Sequence, residues 1–373
     1  MKLKKLKVLS LVMILSLMAG CSSGGDKDKK ADTPKDGKVL VYGSNDYTSI
    51  NPALYEHGEI NSLIFNGLTA HDENNKVVPC LAKDWKFDEA TNTYTFNLRD
   101  DVKWHDGEKF TANDVKFTIE TIMNPDNASE IASNDVVNDN TIKITLKAPN
   151  TAMLDYLTVG VLPKHALEGK DIATDEFNQK PIGTGPFKLE KWDKGQSITL
   201  VKNSDYFVKE PGLDKVVFKI VPDDKAKAMQ LKSGELDLAQ ITPKDMSNFE
   251  KDEKNFKVNI MKTADYRGIL YNFNSKFFKD KKAKGLPNAL SYAIDRKAIV
   301  DSVLLGHGVP AYSPLQMGPY NNPDIEKFEY NPEKAKQEIE KLGWKLGSDG
   351  IYEKEGTKLA FDITARESDK VTV

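Results

Sequence analysis

Leu98-Arg99-Asp100-Asp101-Val102-Lys103-Trp104-His105-Asp106-Gly107, with Phe110-Thr111-Ala112-Asn113-Asp114-Val115 close behind, is the stretch on which the fold turns. Asp106-Gly107 is a turn pair, because aspartate bonds its own backbone and glycine tolerates positive φ. Thr111 to Asp114 then reads as the cap of a helix, whose apolar stripe is Val115, Phe117, Thr118, Ile119 and Ile122. Upstream, Tyr94-Thr95-Phe96-Asn97-Leu98 alternates with period two, as a strand with one buried face does. Ile142-Lys143-Ile144-Thr145-Leu146 repeats that pattern, and turn signals precede both runs at Ala90-Thr91-Asn92 and Asn138-Asp139-Asn140. Antiparallel-type strands mixed with helices follow from these periods.

Further out, Val39-Leu40-Val41-Tyr42 is a short apolar strand closed by Gly43 and Ser44. Glu59 to Leu68 predicts an amphipathic helix on Ile60, Leu63, Ile64 and Leu68, stopped by Asn66-Gly67. Val216 to Val221 predicts a strand, Lys225 to Ser233 a helix ending at Gly234, and Pro287 to Leu305 one continuous helix with Gly306 past its end. Asn331-Pro332-Glu333 opens another helix, since proline at the first turn loses no hydrogen bond, and Gly343 ends it. Leu359 to Ala365 reads as a strand. Irregularly interleaved strands and helices predict an α/β or α+β architecture of more than one lobe.

At 373 residues, 39% hydrophobic and 29% charged, the chain has the profile of two or three folded domains. Lys and Arg number 53 against 56 Asp and Glu, which argues against a nucleic-acid binder needing a basic face. Two cysteines exclude a disulfide scaffold and a four-thiolate zinc ribbon.

Lys2, Lys4, Lys5 and Lys7 precede an apolar run from Val8 to Ala19, the charged and apolar regions of a secretory leader. The run is short for a membrane span. Leu17-Met18-Ala19-Gly20-Cys21 resembles the lipobox of bacterial lipoproteins, in which the cysteine is acylated, and Ser22 to Lys30 reads as a solvated tether. Without the four leader lysines, 49 basic residues face 56 acidic ones. Anionic lipid does not attract such a surface, so attachment rests on the acyl chains of Cys21. Cys80 then has no partner for a disulfide and reads as a small buried apolar residue.

The five histidines, His57, His71, His105, His165 and His307, include no i, i+4 pair, and no CxxC, GxSxG or GxxxxGK[ST] motif occurs. Gly183-Thr184-Gly185 carries a GxG core, but Pro186 removes an amide that a phosphate cradle would use. Trp85, Trp104, Trp192 and Trp344 read as core or turn packing. His105 has no nucleophile beside it in sequence. No catalytic residues, metal ligands or cofactor are expected.

The Leu98–Val115 block resembles the signature of the family 5 extracellular solute-binding proteins, the oligopeptide and dipeptide receptors of ABC importers. Later blocks resemble that family in the same order: Leu162-Pro163-Lys164-His165, Pro181 to Phe187 with Trp192 and Gly195, Lys202-Asn203-Ser204-Asp205-Tyr206-Phe207, Ala289 to Arg296, and Pro332 to Lys336 leading to Gly343-Trp344 and Asp349-Gly350. The resemblance implies an α/β fold of the type II periplasmic-binding-protein kind, two lobes of mixed sheets flanked by helices, closing on a ligand without bond chemistry. Its domains are expected as a lipoprotein signal peptide over 1–20, a flexible tether over 21–37, a first lobe over 38–262 with a smaller inserted subdomain around 60–180, and a second lobe over 263–373. The resemblance also implies that the second lobe is truncated at its C-terminus, where relatives continue and place the acid that fixes a peptide's free amine.

By the same resemblance the ligand-binding residues are Ser44, Asn45, Asp46, Tyr47 and Thr48 before Ile50-Asn51-Pro52, and Tyr271, Asn272 and Asn274, where a strand is expected to enter the second lobe. Gly183 to Gly185 is read as a turn that borders the cleft or serves structure alone. Peptide would be held through its main chain, which all peptides share. The implied partners are a peptide ligand, the transmembrane subunits of an ABC permease, and the membrane through acylated Cys21, with no nucleic acid. The protein is expected as a monomer on the outer face of the bacterial cytoplasmic membrane. Alternatives are a receptor for nickel, haem or another small solute, a secreted glycosidase, and a truncated product without function.

Overall fold

The computed structural model describes residues 37–54, 58–122, 130–261, 263, 265–316 and 321–365. The leader, Cys21 and most of the tether lie outside them. The chain divides into two compact units, one of residues 47–217 with the start of the chain to Leu40, the other of residues 41–46 with 218 onward. Strand β1 (Val39–Ser44) begins in one unit and ends in the other, matching the expected strand.

Within the 47–217 unit, α1 (Glu59–Ile64) buries Ile60 and Ile64. It is shorter than expected. The amide of Phe65 closes the last turn on Asn61 O, and Ile64 O accepts from the Gly185 amide at 2.8 Å, so the carbonyl is spent outside the helix. Gly67 is no left-handed stop: a Cβ there would lie 2.6 Å from Leu157 O, so the glycine serves close backbone approach. β2 (Thr69–His71) and β3 (Val77–Pro79) form an antiparallel pair.

β4 (Ala82–Asp88), β5 (Thr93–Leu98), α2 (Ala112–Ile122), β6 (Ile131–Asn138) and β7 (Thr141–Leu146) build the main core of this unit. The antiparallel sheet runs β4-β5-β7-β6, with Trp85 opposite Phe96, Phe96 opposite Ile142, and Ile142 opposite Val136. Period two puts Tyr94, Phe96 and Leu98 on the buried side with Ile142, Ile144 and Leu146. Val115 and Ile119 of α2 join the same core, as the apolar stripe predicts. Truncating a fully buried ring such as Phe96 would cost about 3–5 kcal/mol.

Two short helices, α3 (Met153–Tyr156) and α4 (Lys164–Leu167), precede the hairpin of β8 (Phe187–Asp193) and β9 (Ser197–Lys202), which turns through Gly195 at φ 72°. β10 (Lys215–Ile220) carries the chain onward.

In the other unit, α5 (Asp224–Ser233) is capped by Asp223, whose carboxylate accepts from the Ala226 amide at 2.9 Å. Gly234, left-handed at φ 76°, ends it as expected. β11 (Leu238–Ala239) pairs parallel with β1 through Tyr42–Leu238 and Gly43–Ala239, and α6 (Pro243–Glu250) follows.

The helix expected over 287–305 is two, α7 (Leu286–Ser291) and α8 (Arg296–Val303). Asp295 is the reason: its carboxylate accepts from the Ala298 amide at 2.8 Å, starting a new helix where a continuous one would waste it. Arg296 Nη1 donates to Ser291 O at 3.0 Å and to Phe328 O at 3.1 Å, consuming a carbonyl left by α7. Ile299 and Val303 are exposed rather than buried. α9 (Pro332–Lys341) starts at Asn331, whose Oδ1 accepts from the Lys334 amide, with left-handed Gly343 beyond its end as expected. β12 (Lys345–Leu346), β13 (Tyr352–Lys354) and β14 (Thr357–Lys358) form a small antiparallel sheet. Leu286, Ala289, Ile339 and Trp344 make a second core, against which Phe277 and Phe278 pack. The strand expected over 359–365 is absent among the described residues: pairing stops at Lys358, and Phe361 turns its ring to Phe278 instead.

Candidate functional site

Ser44 to Thr48 forms no further strand. Ser44, buried at the end of β1, donates its hydroxyl to Asn45 O at 2.9 Å and accepts at its carbonyl from the Val221 amide at 2.8 Å. Asn45 and Asp46 are exposed, and Asn45 Oδ1 accepts from Lys227 Nζ at 3.3 Å. Ser44 to Asp46 belong to one unit, Tyr47 and Thr48 to the other, so the chain passes from unit to unit inside this segment. Tyr47 donates its hydroxyl to Glu59 Oε2 at 3.2 Å, and its ring fills the place where a Cβ of Gly58 would stand. Thr48 O accepts from Gln179 Nε2 at 2.9 Å.

The following residues are held harder. Asn51, fully buried, donates Nδ2 to Asn178 Oδ1 at 2.8 Å and accepts at Oδ1 from the Ala53 amide. Asn178 O accepts from the Ile50 amide, and Asn178 Nδ2 donates to Ile172 O. Each side-chain oxygen and nitrogen of the pair has a partner, as burial requires. A pocket of about 390 Å³ lies beside this anchor, lined by polar residues including Thr48, Ser49, Asp175 and Gln179.

Tyr271 and Asn272 lie in irregular chain leading into a turn that holds Asn274, not in the expected strand. Asn272 Oδ1 accepts from the Asn274 amide at 3.0 Å, and Asn272 O accepts from the Ser275 amide at 3.0 Å, a local closure that competes with strand pairing. Tyr271 stacks edge-on against Phe278 at 5.2 Å, while Leu270 and Phe273 are exposed. The Asn272 turn is thus closed by local bonds, whereas Ser44 to Thr48 is held by Val221, Lys227 and Gln179, all distant in sequence.

The opening motif is scaffold. His105 Nε2 bonds Gly185 O at 3.0 Å and His105 Nδ1 accepts from the Gly183 amide at 3.2 Å, which fixes the proton on Nε2. Burial holds the imidazole down to about 4, so it is neutral at physiological pH. His165 Nε2 meets Asp106 Oδ2 at 2.8 Å, and Asp114, buried, accepts from the amides of Thr111 and Lys164. Burial raises the Asp114 carboxyl. A Cβ at Gly183 would sit 1.8 Å from Ile64 O, and one at Gly185 2.4 Å from Leu63 O, so the GxG core is a close-approach turn against α1. Both ring nitrogens of His105 are spent on backbone, which leaves it no proton to exchange with a substrate.

The sequence profile of the bacterial extracellular solute-binding proteins, family 5 Middle, matches residues 76–372. This chain belongs to that family. The family 5 chain is 34% identical to the oligopeptide-binding protein AppA of Bacillus subtilis, over 98% of its own length and 72% of that protein's. Among solved structures, NikZ from Campylobacter jejuni in complex with Ni(L-His) matches at 38% identity and a TM-score of 0.81, covering 91% of this chain and 70% of NikZ. AppA from B. subtilis in complex with a nonapeptide matches at 34% identity and a TM-score of 0.68, covering 86% of this chain and 67% of AppA. The fold class is therefore the type II periplasmic-binding-protein one expected from the sequence, and the protein is a solute-binding receptor of the extracytoplasmic family that serves ABC importers, a receptor family rather than an enzyme family.

Sequence reading overlooked Lys227 and Asn178. A lysine in the first turn of a polar helix reads as solvated, and Asn178 ends a single 3-10 turn, Glu176–Asn178, that no sequence period marks; only burial, 6% exposure for Lys227 and 5% for Asn178, distinguishes them. Cys80 is half-buried rather than fully buried, with desolvation pushing its thiol up to about 11.

Proposed function

We propose that this family 5 receptor takes up peptides from outside the cytoplasmic membrane and passes them, chemically unchanged, to the transmembrane subunits of an ABC import permease. Its 34% identity to an oligopeptide-binding protein across 98% of the chain carries the reading. Ser44, Asn45, Asp46, Tyr47 and Thr48, with Tyr271, Asn272 and Asn274, would meet the peptide main chain. Both segments carry polar side chains on backbone fixed by hydrogen bonds, the first to Val221, Lys227 and Gln179 and the second within its own turn, as a site reading peptide N–H and C=O groups requires. Acylation of Cys21 would hold the receptor, as a monomer, at the outer face of the membrane; the lipobox residues Leu17 to Cys21 support this part.

A second reading rests on NikZ, whose solved complex contains Ni(L-His). A metal–amino-acid chelate also presents a carboxylate and an amine, so it calls for the same kinds of donor and acceptor. Thermal melting separates the two. Peptides of two to nine residues should raise Tm, a ligand at a hundred times its Kd adding about 2.7 kcal/mol, while Ni(II) with L-histidine should not. A shift with nickel–histidine alone would replace the peptide reading, and no shift with either would remove both. Covalent incorporation of a labelled fatty acid, lost in Cys21→Ala, would test the anchor, and retention of an unmodified Cys21 on the secreted chain would refute it.

A further inference from the structure

Lys227 is the fourth residue of α5, at the end of its first turn, and its side chain is withdrawn from solvent. An ammonium offers three donors and accepts nothing. Its polar neighbours are Asn45 Oδ1 at 3.3 Å and Asp224 Oδ1 at 3.7 Å. Because lysine only donates, the atom that Asn45 turns toward it must be the carbonyl oxygen, and the orientation of the amide follows from chemistry. The backbone carbonyl of Asn45 is likewise taken, by the Ser44 hydroxyl at 2.9 Å. Both acceptors of Asn45 are therefore engaged inside the protein. What the exposed residue keeps for the outside is its Nδ2 pair of N–H donors, which make no hydrogen bond to the described residues.

We propose that Lys227 is a positioning residue that locks the Asn45 amide with its donors outward, so that this segment selects a solute group with acceptor character, a peptide carbonyl or a carboxylate, over one that offers N–H. The inference rests on the reading that Ser44 to Thr48 touches the solute. Without the ammonium the amide could turn over and offer donor or acceptor alike, and selectivity for acceptors would fall. The cost of burying Lys227 is offset only in part by Asp224, which is itself partly exposed, so a purely structural role would be served better by leucine or methionine.

The experiment uses the full chain, with trialanine and a synthetic nonapeptide as probes in calorimetry. Asn45→Asp keeps an oxygen toward Lys227 and replaces the outward donors by a second oxygen. It should leave the melting temperature of the ligand-free protein equal or higher, yet weaken peptide binding by about tenfold or more. Lys227→Met should weaken binding by roughly tenfold in the unaltered chain and have no further effect in an Asn45→Leu background. Wild-type affinity in Asn45→Asp, or an equal loss from Lys227→Met in both backgrounds, would overturn the proposal. Should the unaltered chain bind neither probe, the peptide reading fails first. The ligand-free melt of Asn45→Asp then decides the lock alone: a lower Tm sinks it, and an equal or higher Tm upholds it.

Discussion

His105 and Gly185 are joined across eighty positions of sequence by a 3.0 Å hydrogen bond from the imidazole to the glycine carbonyl, with the other ring nitrogen accepting from Gly183. The bond fastens the loop after β5 to the loop before β8, and Lys188 Nζ adds a bond to His105 O at 3.2 Å. Because the ring must stay neutral to accept from Gly183, this junction responds to pH.

With the folded pKa of His105 lowered to about 4 by burial and an unfolded value near 6.5, the unfolded chain binds more protons between those values. The stability contribution is whole above about pH 6.5 and declines as pH falls toward 4, by roughly 3 kcal/mol over the full window. Urea midpoints at pH 7 and pH 5 should therefore differ more for the wild-type chain than for His105→Gln. Equal pH slopes in the two proteins would contradict the assignment.

Gly183 and Gly212 give a paired test of close approach. A Cβ at Gly183 would collide with Ile64 O at 1.8 Å, whereas one at Gly212 meets nothing within 4 Å. Gly183→Ala should destabilise by about 2 kcal/mol or more, the scale of overpacking, while Gly212→Ala should be close to neutral. Similar melting temperatures for the two variants would show that the loop against α1 yields easily.

Asp295 separates α7 from α8 by capping the second helix. Asp295→Ala should cost about 1 kcal/mol, and Asp295→Asn only a few tenths, since asparagine also caps. Chemical denaturation measures both, and equal losses would point to charge rather than capping.

Asn51 and Asn178 form a buried amide pair beneath the Tyr47–Thr48 segment. Asn51→Leu removes one partner and leaves the Asn178 oxygen unsatisfied, at a cost of about 1–3 kcal/mol. If that pair positions a solute-contacting segment, peptide affinity should fall in the same variant. A lowered Tm with unchanged affinity would confine Asn51 to stability.

Cys80 should be a slow thiol. Burial raises it to about 11, so in a Cys21→Ser chain at pH 8 alkylation should run roughly a hundredfold below that of an unfolded cysteine. Labelling at the unfolded rate under native conditions would show that the loop opens freely.

Much of the architecture was legible in the chain itself wherever one short period decided it. Alternation in Tyr94–Leu98 and Ile142–Leu146, the stripe of Val115 and Ile119, and the punctuation by Gly234, Pro332 and Gly343 are local signals, and the strands and helices stand where those signals put them. The ordered motif series carried the family as well, and the family profile matches residues 76–372.

Long-range competition decided much of the rest. The break inside 287–305 is a local cap by Asp295 to which Phe328 O adds a distant partner for Arg296, and whether α1 runs on past Ile64 depended on Gly185 arriving to take a carbonyl. Leu270 to Asn274 carries strand-like residues, yet strand structure needs a neighbour, and the bonds of Asn272 close a turn first. Lys227 shows the same limit most sharply: its charge is visible in the sequence, but its burial against Asn45, 182 positions away, exists only once the fold has brought α5 to the end of β1. Periodicity is a property of neighbours along the chain, whereas desolvation and hydrogen-bond partnership belong to neighbours in space.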